Sequence, residues 1–169
     1  MTTVKVSFDR LFIMDVEREL RRGLFELTDP DDHIHGFLAI DVDGKRLPRL
    51  GFFGPDDVCI GDWAVQLRRA LRSLRESAGS RYVYDEHEQG QPAFLFEREG
   101  ADLFVSAVAA AYPSGGNADP DWQRVPCRFA DFERSVEFFI AELRDHILRE
   151  APVVAEEWWR LHIEEEKYA

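Results

Sequence analysis

The sequence predicts an α+β fold: one mainly antiparallel sheet with two or three helices packed on it. Three observations carry this. Extended-type runs follow one another through turn signals and do not alternate with helices, unlike a βαβ chain. Asp43-Gly44 sits between two of those runs, and this pair tolerates the positive φ that a tight hairpin needs. Two segments, 62–78 and 131–150, place apolar residues at helical spacing. The 169 residues suit a single domain over 1–150, with a C-terminal helix over 151–169 docked on it.

Thr3 to Phe8 alternates apolar and polar, the period of a half-buried strand, and Leu11 to Val16 extends it or pairs with it. Glu17 to Leu27 reads equally as helix or strand, and Thr28-Asp29-Pro30-Asp31-Asp32 is a turn. Ile34 to Val42 is a strand, Asp43-Gly44 turns the chain, and Lys45 to Phe53 returns, with Pro48 placing that run at an edge. Asp62 is the expected N-cap of the first helix. Trp63, Leu67, Ala70, Leu71 and Leu74 fall on one face, and Gly79 is the expected left-handed stop. Short strands follow at Arg81 to Asp85, Pro92 to Arg98 and Ala101 to Tyr112, then a Gly- and Asn-rich loop and an extended run from Trp122 to Phe129. Phe132, Val136, Phe139, Ile140, Leu143 and Ile147 line one face of the second helix. Pro152 breaks the chain before a third helix over 153–167.

Composition excludes several classes. Hydrophobic residues make up 45%, too many for a disordered chain, and the net charge is −12. That charge argues against nucleic-acid or anionic-membrane partners, whose binders rely on Lys and Arg. The longest apolar stretch, Leu103 to Tyr112, falls far short of the ~20 residues of a membrane span. No secretory signal follows Met1, so a cytoplasmic location is expected, with Cys59 and Cys127 as free thiols. No phosphate-binding, dinucleotide-binding, nucleophile-elbow or zinc-protease motif occurs, so no catalytic residue and no cofactor is expected.

Four constellations remain. Asp29-Pro30-Asp31-Asp32-His33-Ile34-His35 carries metal-ligating types, with His33 and His35 on one face of a strand. It lacks a second Cys/His cluster, so the expectation is no metal. Tyr84-Asp85-Glu86-His87-Glu88 offers carboxylates and an imidazole for acid–base work, for recognition, or simply as a charged loop. Segment 80–121 holds 8 acidic and 2 basic residues, so half of the chain's excess charge lies there. Arg68, Arg72 and Arg75 form a row on the first helix, either a phosphate site or a solvated face. Trp158-Trp159 points two indoles about 100° apart, so Trp158 is expected to dock the helix, and the pair either serves docking alone or leaves Trp159 for a partner or dimer contact.

The pattern over 34–150 resembles the small α+β immunity proteins of bacterial polymorphic toxin systems and their uncharacterised relatives. It runs from Gly61-Asp62-Trp63 through Leu71-Arg72-Ser73-Leu74, Tyr82-Val83-Tyr84-Asp85 and Phe94-Leu95-Phe96-Glu97 to Phe132-Glu133-Arg134-Ser135-Val136. The resemblance is architectural and carries over no catalytic residue. It implies a non-enzymatic bacterial binding protein that neutralises a toxin or enzyme by covering a basic surface. Asp85, Glu86, Glu88 and Trp159 are the candidate contacts. Two alternatives stand beside it: a small enzyme or metal-binding domain using His33, His35 or His87, and a structural subunit that forms a homodimer through 153–167.

Overall fold

The computed structural model describes residues 3–15 and 20–164. The α+β class holds, and the strands divide into two antiparallel sheets where one was expected. The first contains β1 (Val4–Asp15), β2 (Leu20–Gly23), β3 (Ile34–Val42), β4 (Lys45–Arg46) and β5 (Val58–Cys59). Its order is β2-β1-β3-β4, with β5 also paired to β3. After α1 (Ile60–Glu76), the second sheet runs β6 (Arg81–Asp85), β7 (Ala93–Glu99), β8 (Asp102–Val108) and β9 (Val125–Arg128), in chain order. Then come α2 (Phe129–Glu150), α3 (Ala155–Trp159) and a π-helical turn, Arg160–Glu164. One continuous core joins both sheets and the helices. Trp63, Leu67, Leu71, Phe139 and Leu143, all expected inside, are buried there.

The Asp-Gly hairpin forms as read: Val42 pairs with Lys45, and Asp43 and Gly44 take φ of 54° and 79°. The returning strand is only two residues long. Past Leu47 the chain leaves the sheet, because Pro48 has no N–H to donate to the ladder. β1 is bulged: Asp9 faces Phe37 and Phe12 faces His35, so Arg10 and Leu11 together oppose Gly36. A side chain at Gly36 would meet the Leu11 side chain at 2.7 Å and the Asp9 carbonyl at 3.1 Å, so Leu11 would have to move aside for any larger residue at the bulge. The bulge moves Phe12 onto the outer face beside His35, and Ile13 onto the core face opposite Ile34.

Four helix boundaries depart from expectation, one of them the start of α2, at Phe129 where Asp131 was expected. Ile60 opens α1, so Cys59 is the N-cap and Asp62 lies in the first turn, where its charge still favours the helix dipole. α1 ends at Glu76 and leaves through extended Ser77. Gly79 does not take a positive φ; its N–H donates to Ser77 Oγ at 3.2 Å. The third helix begins at Ala155 and widens to a π turn at Arg160. Val16 to Glu19, and 165–167 of the expected third helix, lie outside the described residues.

Trp158 docks this segment as expected: its indole N–H donates to the Asp32 carbonyl at 2.8 Å. Trp159 does not remain for a partner. It is 5% exposed, beneath the Arg144 guanidinium. Both indoles are buried because the segment packs against α1 and the Pro30–Asp32 turn as well as against α2. The described part of 153–167 thus buries Val154, Trp158, Trp159 and Ile163 inside its own chain, leaving Leu161 half-buried and Val153 exposed.

Candidate functional site

A cleft of about 300 Å³ opens where the two sheets and the start of α1 meet. Met14 and His35 line it from the first sheet, Gly51, Phe52, Phe53 and Asp57 from the loop before β5, Cys59 and Asp62 from the strand–helix junction. Tyr84, Glu86 and Glu88 complete it from the end of β6.

Glu86 is the centre of its polar network. The Gly51 amide donates to one carboxylate oxygen and the Trp63 indole N–H to the other, both at 3.2 Å. Burial pushes the Glu86 carboxyl up to about 7, further than those two donors pull it down. Glu86 therefore titrates near neutrality. Gly51 takes φ of 70°, and a side chain on it would collide with the Gly54 and Asp57 carbonyls. Glycine thus allows the loop to fold tightly enough to aim its amide at Glu86. The Trp63 ring stands edge-on to Tyr84 at 4.8 Å. Burial and the neighbouring Glu86 and Asp62 hold the Tyr84 phenol protonated, its pKa well above the ordinary value.

On the opposite wall, His35 Nδ1 lies 2.8 Å from Asp57 Oδ1, and Arg21 donates to Asp57 Oδ2 at 3.4 Å. Asp57 is nearly buried and is answered on both oxygens. Asp62, Glu86 and Glu88 have no salt bridge among the described residues. The Cys59 thiol is pushed up by burial and by the Asp62 carboxylate, although the Gly61 and Asp62 amides favour its anion. Phe52 and Phe53 stand at the mouth, 45% and 78% exposed, with their rings in edge contact.

The structure sorts the sequence candidates. Glu86 and Glu88 line the cleft, and Glu86 faces inward. Asp85 sits outside it: one carboxylate oxygen accepts the His87 amide at 2.8 Å, and the other the Ala111 amide at 3.4 Å. His87 stacks on Tyr112 and does not reach the cleft. His33 and His35 do share a face of the first sheet, but His35 turns to Asp57 and His33 to Cys59.

Three of the eight acidic residues of 80–121 are answered by arginines that follow it. Arg124 pairs with Glu97 and Glu99, and Arg128 with Asp102. The arginine row on α1 is likewise committed: Arg68 donates to the Ile163 carbonyl, and Arg75 bridges to Glu133 and Glu137 on α2. The Ser114-Gly115-Gly116 loop braces the Glu88 loop. Gly90 donates to the Ser114 carbonyl, Gly116 donates to the Gln91 carbonyl, and a side chain at Gly116 would lie 2.3 Å from the Gly90 carbonyl.

Sequence reasoning missed Asp57, Asp62, Cys59 and the two phenylalanines as parts of one site. The signal available was Gly51-Phe52-Phe53-Gly54, an apolar pair between glycines in a loop. No helix among the described residues is long and apolar enough to cross a membrane. In comparisons with known proteins, no family model, no curated protein and no solved structure matches the chain.

Proposed function

We propose that the chain is an acidic binding protein of the immunity type, which neutralises a toxin or enzyme by covering a basic surface. The cleft is its contact centre. The observation that carries this reading is the joining of Asp62, Glu86 and Glu88, without salt bridges among the described residues, to an exposed Phe52–Phe53 pair at one mouth. A Lys or Arg side chain entering the cleft would meet carboxylates at its tip and aromatic faces along its stem. Apolar anchors ringed by charge are what a compact protein contact uses for affinity and for steered encounter. Asp85 now has a supporting role, holding the turn that carries Glu88.

The test is capture from the native host. The wild-type chain is expected to retain a basic protein that a Phe53→Ser, Asp62→Asn, Glu88→Gln variant loses. Phe138→Ser, on a different face, should retain it. Equal retention by the triple variant would overturn the cleft as the contact.

A further inference from the structure

We propose that His33, Cys59 and Asp62 form a binding site for one zinc-class divalent cation at the edge of the cleft. This inference shares Asp62 with the partner reading but does not rest on it. The three residues come from different elements, and the donor atoms all lie within 4.8 Å of one another. His33 Nδ1 is 3.6 Å from Cys59 Sγ. Around a tetrahedral zinc, with bonds of about 2.3 Å to sulfur and 2.0–2.1 Å to nitrogen, two such donors stand about 3.5 Å apart. The imidazole and thiol are therefore already spaced as ligands.

Strand pairing creates this spacing. His35 faces Cys59 in the β3–β5 register, so His33, two residues back, is the same-face diagonal neighbour of Cys59. Asp62 follows in the first turn of α1. The C-terminal segment then fixes the His33 end. Trp158 donates to the Asp32 carbonyl, His162 Nε2 lies 2.9 Å from the Pro30 carbonyl, and the His162 ring stands edge-on to His33 at 5.3 Å. A ligand held by such outer contacts needs little reordering to bind.

Thiolate, imidazole and carboxylate together suit zinc better than the hard cations magnesium and calcium, which prefer all-oxygen sites. Three protein donors leave a fourth position for water or for a donor from a partner. On binding, the metal replaces the thiol proton, which passes to solvent.

The experiment uses the full chain, reduced and stripped with chelator, titrated with Co²⁺ as a spectroscopic probe and then with Zn²⁺. One Co²⁺ per chain should bind, with a thiolate-to-cobalt charge-transfer band and the visible absorption of tetrahedral coordination, and Zn²⁺ should displace it. Cys59→Ser should abolish the charge-transfer band. His33→Ala and Asp62→Asn, both at exposed positions, should each weaken Co²⁺ binding by roughly tenfold or more. His146→Ala should bind as wild type. No band in the wild-type chain would overturn the site. So would a band that persists in Cys59→Ser, or wild-type affinity in both His33→Ala and Asp62→Asn.

Discussion

Two concave regions of this molecule invite comparison. The groove between β1 and α2 encloses about 600 Å³, twice the volume of the cleft. Val4, Val6, Phe8, Phe138 and Phe139 line it, and its charged Asp131 and Arg134 pair with each other at 3.1 Å. Where β1 runs past the short β2, its edge needs a partner, and Ser135 Oγ accepts the Val6 amide at 2.7 Å. The smaller cleft differs in chemistry: a carboxyl that titrates near 7, a thiol, two further carboxylates without ion pairs among the described residues, and exposed aromatic rings. Among the described residues, the groove's remaining charges, Lys5 and Glu142, are unpaired but of opposite sign, whereas the cleft's unpaired charges are all acidic. Volume favours the groove, and clustered charge of one sign favours the cleft.

The largest effects come from the floors of the two regions. Trp63→Ala beneath the cleft and Phe139→Ala beneath the groove should each cost about 3–5 kcal/mol in urea unfolding, since both rings are buried. Equal loss would show that both floors are core. The two variants should part in pH dependence, because Trp63 alone supplies a donor to Glu86.

The pH response of the cleft is next in size. In the unfolded chain Glu86 ionises near 4.5, and in the folded chain near 7. Below about 4.5 both states hold the proton, and the group adds no pH dependence. As pH rises toward 7 the unfolded chain loses its proton first, so stability falls, by up to about 3 kcal/mol at and above neutrality. Glu86→Gln should flatten the stability profile between pH 5 and 8, whereas Ser135→Ala in the groove should leave its shape unchanged. A wild-type profile that rises over this range, after correction for the other carboxylates by the variant, would break the contrast.

The groove's own prediction is smaller. Ser135→Ala removes the acceptor of the Val6 amide and should cost about 1 kcal/mol, the scale of one hydrogen bond. Smallest of all, Phe53→Ser and Phe138→Ser should each change stability by less than about 0.5 kcal/mol, since both rings are largely exposed. Only the first should weaken partner capture.

The contrast between the two regions also shows what the sequence could reveal. The helix faces were legible, because Trp63, Leu67 and Leu71, and Phe139 and Leu143, repeat at helical spacing and their burial follows from that period. The Asp43-Gly44 hairpin was legible because the turn is local. The division into two sheets was not, since pairing between distant strands leaves no local mark. The same holds for the cleft. Glu86 and Glu88 drew attention as part of an acidic run. Their neighbours Gly51, Asp57 and Asp62 arrive through the long 47–57 loop and the β3–β5 pairing. Trp159 was misjudged because adjacent indoles cannot share one narrow stripe. Here two packing partners, α1 on one side and α2 on the other, receive one each.

The most direct test of the cleft as a binding centre is association kinetics against the captured basic partner at several salt concentrations. Charges at the cleft mouth should steer encounter over a Debye length of about 8 Å at physiological salt. The association rate should therefore fall as salt rises, and Asp62→Asn with Glu88→Gln should lower it at low salt and flatten its salt dependence. An association rate indifferent to salt and to both substitutions would contradict the cleft as the surface that meets the partner.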